Sequence, residues 1–404
     1  MQDNLKNEVL NSHERWQILG FNIIFLGVLM SVVPMKLMAE SEGFQEFIDQ
    51  QNSAFQQYIT DQEQAFAAYK AIHDKEFAAY KNEIAKYWDQ KEVSRPKKWV
   101  SYTQGFQQKT VVDYEKKQII IYQKMEGAVD KQEAQKKIQE RVQQLASLTY
   151  KKAYEEDQLA RRLDKALAQK VAPELLLKTK PKKQKIHIVE KPLKVKAQDT
   201  KIKTLSNNKG RVLVYTLPMT SKAEVKRIES VLPDVQYQAK RQKLPPSLLL
   251  AIIKNESSYN PLAKSHIPAY GLMQIVPRSA GRDSTKYLFG KEKLLSAGYL
   301  YTPQKNIEIG AAYLHILYYR YLKRIKDPES RLYCTIAAYN TGAGNVARAF
   351  SGTNSVAKAA EKINRLTPSQ VYQHLRQHLP YEETKKYLKK VTRSYQKYSK
   401  LKLS

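Results

Sequence analysis

Cysteine is nearly missing from the sequence. Cys334 is the only one in 404 residues, so the chain forms no intramolecular disulfide and no cysteine-based metal site. Its setting, "RLYCTIAAYN", has an apolar helical pattern and predicts a buried, inert thiol. The seven histidines show no metal-ligand spacing such as H-E-x-x-H, and neither a metal nor a cofactor is expected. Acidic residues are scarce as well: 39 Asp and Glu stand against 69 Lys and Arg, a formal net charge of +30. That balance favours polyanionic partners such as nucleic acid, an anionic membrane or an acidic polymer, without choosing among them. Part of the excess sits in Lys178 to Lys209, where the plain reading is a solvated linker. The chain contains no basic helix-turn-helix and no aromatic RNA-binding motif, which counts against nucleic acid.

Long apolar runs are also few. The clearest, Ile18 to Val33, is preceded by Arg15 and ended by Pro34. It falls short of the roughly 20 residues of a spanning helix and fits the apolar core of a signal peptide. Ala39 is a candidate cleavage residue, but Leu37 two places before it suits cleavage poorly, so an uncleaved membrane anchor is the other reading. Either way the remainder is expected to be exported.

What is present divides the chain into three. Residues 1–39 are the leader or anchor. Residues 40–220 read as an α+β domain. Within it Phe44, Phe55, Phe66, Phe77 and Trp88 recur every 11 residues, as do Phe47, Tyr58, Tyr69 and Tyr80. Eleven residues make almost three whole helical turns, so one long helix carries an aromatic stripe, read as core-facing or self-associating, or as a platform for sugar rings. Residues 98–125 are rich in β-branched and aromatic residues and predict two or three strands, with further strands at 185–191 and 211–219. Residues 128–170 predict helix. Residues 221–404 are helical throughout, an all-α domain.

One carboxylate in that last domain stands out. Pro245-Pro246-Ser247 opens a helix on which Leu249, Ile253 and Glu256 fall at i, i+4 and i+7 on an otherwise apolar face. Desolvation there favours the protonated form, the property a general acid needs at neutral pH. A helix ending near Ser258 that simply exposes Glu256 to water is the bland alternative. Three later segments bear on the choice: "AYGLMQI" with Gly271, Met273 and Gln274; "AAYNTGAGNV" with Tyr339 and Asn340; and "YEETKKYLKKV" with Tyr387. No second carboxylate is convincing. Asp283 and Glu292 read as loop residues, and Glu308 sits at a helix start where acids suit the dipole.

In this order and spacing, Glu256-Ser257, Gly271-Leu272-Met273-Gln274, Ala338-Tyr339-Asn340 and Glu383-Thr384 with Tyr387 resemble the soluble-lytic-transglycosylase domain, over roughly residues 235 to 395. The upstream stripe and "PKKWVSYTQGFQQKTVVDYEKKQIII" look like the N-terminal domain of the membrane-bound lytic murein transglycosylase C family. The resemblance implies a goose-type lysozyme-like catalytic domain and a lyase acting on peptidoglycan glycan strands in the envelope of a Gram-negative-type bacterium, on the periplasmic side. It implies Glu256 as the lone catalytic acid and base. Ser257, Ser265, Met273, Gln274, Tyr339, Asn340 and Tyr387 become substrate-binding residues. That family is typically lipid-anchored through a cysteine that has no counterpart here, so lipoprotein anchoring is not expected and any membrane association falls to the N-terminal segment. Thr341 also departs from the glycine or alanine usual in the family. A hydrolase of the goose-lysozyme type and a non-catalytic peptidoglycan-binding scaffold are the alternatives. Oligomeric state is not legible.

Overall fold

The 11-residue repeat folds as one helix, α1 (Glu42–Tyr87), in the computed structural model, which describes residues 42–125, 131–190, 193–205, 209–265 and 268–401. The expected leader lies outside the described residues. No helix among those described is long and apolar enough to cross a membrane. From Ala65 to Ser404 the chain packs as one compact unit. Within it Phe66, Tyr69 and Tyr80 are buried along α1, and Trp88 just beyond is buried with its indole N–H donating to Phe106 O at 2.9 Å. This half of the stripe therefore faces a core. The side chains of Phe44, Phe47, Phe55 and Tyr58 lie outside the described ones.

Residues 98–125 form three antiparallel strands, β1 (Lys98–Thr103), β2 (Gln108–Asp113) and β3 (Gln118–Met125). The predicted helical stretch is three helices: α2 (Lys131–Ala146), α3 (Tyr150–Glu156) and α4 (Gln158–Lys170), interrupted where Thr149 and Asp157 act as N-caps. A two-residue strand, β4 (Leu176–Leu177), follows, then β5 (Thr200–Thr204) and β6 (Arg211–Pro218). The main sheet runs β1-β2-β3-β6-β5, antiparallel at every pairing.

The strand expected at 185–191 does not form. Ile186, Ile188 and Val189 are buried, but the segment makes a single bridge, Lys185 to Thr149, beside the α2–α3 junction. The place beside β6 goes instead to β5, "TKIKT", which is mostly exposed. Its lysines hide it from a search for apolar alternation and blunt a sheet edge against further pairing. On one sheet face Arg141 of α2 is fully buried. It donates to Thr110 Oγ1 at 2.9 Å and to both Glu156 oxygens at 2.9 and 2.8 Å, so strand and helices share one satisfied ion pair.

The remainder is helical, as expected, apart from the two-residue strand β7 (Leu294–Leu295), which pairs in parallel with β4. The helices are α5 (Ser221–Gln242), α6 (Pro246–Ser257), α7 (Arg282–Phe289), α8 (Ala297–Leu300), α9 (Pro303–His315), α10 (Pro328–Thr341), α11 (Ala343–Ser351), α12 (Val356–Ile363), α13 (Pro368–His378) and α14 (Glu382–Ser399). Leu248 to Ile253 of α6 are all completely buried, so α6 is the central helix. It packs on α5 and α14. Cys334 is buried in α10, and desolvation pushes its thiol far up, as expected of an inert cysteine.

Side-chain bonds tie the region before residue 220 to the later helices. Lys264 pairs with Asp157 at 3.0 Å, Asp164 accepts from Ala297 N and Gly298 N at 2.9 Å each, and Glu224 joins Lys117 at 2.8 Å to Lys254 of α6 at 2.6 Å. Most relevant to the cleft, the completely buried Asn260 donates from Nδ2 to Pro96 O at 3.0 Å.

Candidate active site

α6 begins with Pro246 in its first turn and ends where Ser258 turns left-handed (φ 53°). Glu256 thus sits in the last turn of a helix whose earlier residues are core. The residue is half-buried, but its carboxyl end is enclosed by neighbouring atoms. Burial lifts its pKa to about 7. The Tyr387 hydroxyl and the Lys97 ammonium pull it downward, and Glu383 adds a small upward push. Desolvation wins, which makes Glu256 a carboxyl that exchanges its proton near neutral pH. The structure places Glu256 at a half-buried helix end and not at a fully exposed one.

Glu256 borders an open cavity of about 720 Å³. Asn255, Asn340, Glu383 and Tyr387 share its wall. The first turn of α14 fixes Asn340: buried Thr384 donates its hydroxyl to Asn340 Oδ1 at 2.7 Å. Tyr387 is buried beside Glu256. Its hydroxyl is near enough to lower the carboxyl's pKa, but the two oxygens do not meet hydrogen-bond geometry, and the phenol is left with a buried, unpartnered O–H. Burial, then the Glu256 charge, raises the pKa of Tyr387 itself.

The other predicted residues lie outside the cavity lining. Ser257 is completely buried, donating to Ile253 O at 3.0 Å. Met273 is completely buried, packed so closely on Gly310 that a Cβ there would lie 2.4 Å from its sulfur. Tyr339 donates its hydroxyl to Met273 O at 2.8 Å and feels the Glu256 charge. Gln274 adopts a left-handed backbone (φ 47°), donates from Nε2 to Gly271 O at 3.0 Å, and keeps a buried, unpartnered Oε1. Ser265 is half-buried, its N–H bonded to Ala269 O at 3.1 Å. Of the predicted set, Glu256, Asn340 and Tyr387 border the cavity, while Ser257, Ser265, Met273, Gln274 and Tyr339 do not.

Two features escaped the sequence reading. The first is Asn306 of α9, completely buried, which accepts from Met273 N at 2.8 Å and donates to Tyr270 O at 2.8 Å and Leu300 O at 3.0 Å. It pins the 270–273 turn, where Gly271 has φ +75° and a Cβ would lie 2.3 Å from Asn306 Nδ2 and from Leu300 O. The second is the sheet region, which supplies the opposite cavity wall: Arg95, Pro96, Lys97 and Lys98 from the entry to β1, and Asp113, Glu115 and Lys116 from the β2–β3 turn. The three acids weighed from the sequence have partners within the helical region. Asp283 lies in the first turn of α7, not in a loop, and accepts from the Tyr321 hydroxyl at 3.0 Å. Glu292 pairs with Arg282 and Lys286, and Glu308 with Arg241 and Lys305. Among the described residues no cluster of His, Cys, Asp and Glu could hold a metal ion.

Residues 234–362, the stretch that holds the Glu256 carboxyl, match the family described as transglycosylase SLT domain. The chain is 42% identical over 200 residues to membrane-bound lytic murein transglycosylase C of Glaesserella parasuis, covering 49% of this chain and 54% of that protein. It is 40% identical over 205 residues to the protein of the same name from Histophilus somni, covering 50% and 56%. The chain therefore spans about half the length of the curated relatives it matches. Among solved structures it is similar to the 70 kDa soluble lytic transglycosylase of Escherichia coli, at 25% identity, TM-score 0.32, and coverage of 42% of this chain and 25% of that one. A complex of the 70 kDa soluble lytic transglycosylase with bulgecin A matches at 26% identity and TM-score 0.31, covering 41% and 24%.

Proposed function

We propose that this chain is a peptidoglycan lytic transglycosylase that cleaves the β-1,4 bond between N-acetylmuramic acid and N-acetylglucosamine without consuming water. The observation that carries the reading is the Glu256 carboxyl, lifted by burial to a pKa of about 7 on the wall of an open groove. Most glycosidases pair two carboxylates. The other acids on the groove wall are Asp113, which accepts from the Glu115 and Lys116 N–H groups and pairs with Lys98, and Glu115 and Glu383, which are exposed. One carboxyl suffices if the substrate supplies the nucleophiles.

Protonated Glu256 donates its proton to the glycosidic oxygen as the bond to the anomeric carbon breaks. The carbonyl oxygen of the neighbouring N-acetyl group stabilises the cationic carbon. Glu256, now ionised, takes the proton from the 6-hydroxyl of the same muramic acid, and that oxygen bonds to the anomeric carbon, releasing the acetamido group. The product carries a 1,6-anhydro ring and Glu256 is protonated again. A group that gives and then accepts a proton works best with a pKa near ambient pH. Asn340 and Tyr387 contact the sugar at the reacting bond. Ser257, Ser265, Met273, Gln274 and Tyr339 act by holding this wall in place. The protein works in the cell envelope on the periplasmic side, with residues 1–39 as leader or tether.

Glu256→Gln removes the transferable proton and keeps the shape. Turnover of purified sacculi falls by about 10²–10⁴-fold while binding stays; turnover at the unaltered rate would refute the assignment. The variant has a second readout. A carboxyl held above its ordinary pKa makes the folded state bind protons that the unfolded state has released, so stability declines as pH rises from about 4.5 to about 7. Glu256→Gln removes that decline and leaves the protein about 1–3 kcal/mol more stable than the parent at pH 8.

A further inference from the structure

The cavity wall carries six cationic and four acidic side chains. Two of the cations are neutralised within the protein: Lys97 by Glu115 at 3.5 Å, and Lys98 by Glu92 at 3.4 Å and Asp113 at 3.8 Å. The other four, Arg95, Lys116, Lys386 and Lys390, are exposed and form no salt bridge among the described residues. All four line the groove that holds Glu256, two from the sheet region and two from α14. Arg95 and Lys116 come from the sheet side, where their backbone is fixed. Arg95 and Lys98 exchange backbone hydrogen bonds at 2.7 and 3.0 Å, Asn260 holds Pro96, and Asp113 Oδ1 accepts from the Lys116 N–H at 2.8 Å. Lys386 and Lys390 project from α14 at i and i+4 and line the cavity together with Tyr387. Like charges at that spacing oppose helix formation.

We propose that these four side chains form an anion clamp spanning the groove, which grips the carboxylates of the stem peptide borne on the lactyl group of muramic acid, so that the protein prefers peptide-bearing glycan strands over bare ones. The inference rests on the lytic transglycosylase reading, which brings a glycan strand into this groove. The sheet and α14 each supply half of the clamp, and neither half suffices alone.

The test uses the full chain carrying Glu256→Gln, so that binding is measured without cleavage. The probes are soluble strands from sacculi with their stem peptides intact, and the same strands stripped of peptide by an amidase. The intact clamp binds the peptide-bearing strands more tightly, by about 10-fold at low salt, and the preference shrinks as salt rises. Lys386→Glu with Lys390→Glu, and separately Arg95→Glu with Lys116→Glu, each erase the preference while affinity for stripped strands changes by less than about twofold. Lys358→Glu with Lys362→Glu, both on α12 and outside the groove, leaves the preference intact and controls for total charge. Equal binding of both strands by the chain with all four cations overturns the clamp and leaves the glycan reading standing. So does an equal loss on both strands in the paired variants. Binding of neither strand overturns both.

Discussion

Two regions meet at the Glu256 groove, and they hold their residues there by different means. The helical side is fixed from within. Asn306 makes three buried bonds to the 270–273 turn and the end of α8, Tyr339 caps Met273 O, and Thr384 holds Asn340. The sheet side reaches the groove through turns and is tethered by fewer links, chiefly Asn260 to Pro96 and the Lys117–Glu224–Lys254 bridge. A reacting proton demands the first kind of support, because its donor must be desolvated and immobile. Recognition of a charged, flexible part of a substrate demands only that cations be presented along a wall.

The contrast predicts unequal costs for similar changes. A Cβ at Gly271 meets buried backbone and Asn306 at 2.3 Å in a left-handed conformation, whereas Gly105, in the β1–β2 turn at φ +60°, meets nothing within 4 Å. Gly271→Ala therefore costs about 3–5 kcal/mol in urea unfolding and Gly105→Ala about 1 kcal/mol. Similar losses at the two positions would erase the distinction.

The tether is next in size. Burial raises the pKa of Glu224, but the hydrogen bonds and charges of Lys117 and Lys254 outweigh it and bring the value down to about 2. A carboxylate depressed in the folded state stabilises above its unfolded pKa, and that contribution is lost as pH falls from about 4.5 through 2. Since both lysines are partly exposed, we expect Glu224→Gln to cost about 1–2 kcal/mol at pH 7 and little at pH 2. A loss independent of pH would point to packing and not to the bridge.

The smallest effects are the sharpest test of how each wall acts on the carboxyl. Lys97 from the sheet side and Tyr387 from α14 both lower the Glu256 pKa. Lys97→Met and Tyr387→Phe should each raise it, moving the alkaline limb of the kcat/KM profile upward by a few tenths of a pH unit. A shift with Tyr387→Phe alone would remove the sheet from the electrostatics of the site.

Part of the helical wall was legible in the sequence through motifs whose order and spacing resemble a known family, each of them a weak signal alone. Proline at a helix start, apolar residues at i and i+4 before Glu256, and Gly271 before Met273 and Gln274 each declare a constraint within a few residues. Asn306 gave no such signal, since its partner Met273 is 33 positions away and a lone asparagine in a helix start has no distinctive pattern. The sheet wall was not legible for the same reason at larger scale: Asn260 and Pro96 are 164 positions apart, and turn lysines look like any solvated lysine. Strand assignment failed where burial and pairing part company. Ile186, Ile188 and Val189 are buried without joining a strand, and lysine-rich β5 pairs without burial.

The central claim is that Glu256 moves one proton twice and water takes no part. Mass analysis of the sugar ends released from purified sacculi by the full chain tests it most directly. The account predicts 1,6-anhydro-muramic acid ends, lighter by one water than reducing ends, and their disappearance with Glu256→Gln; reducing ends from the unaltered protein, or no cleavage at all, would contradict it.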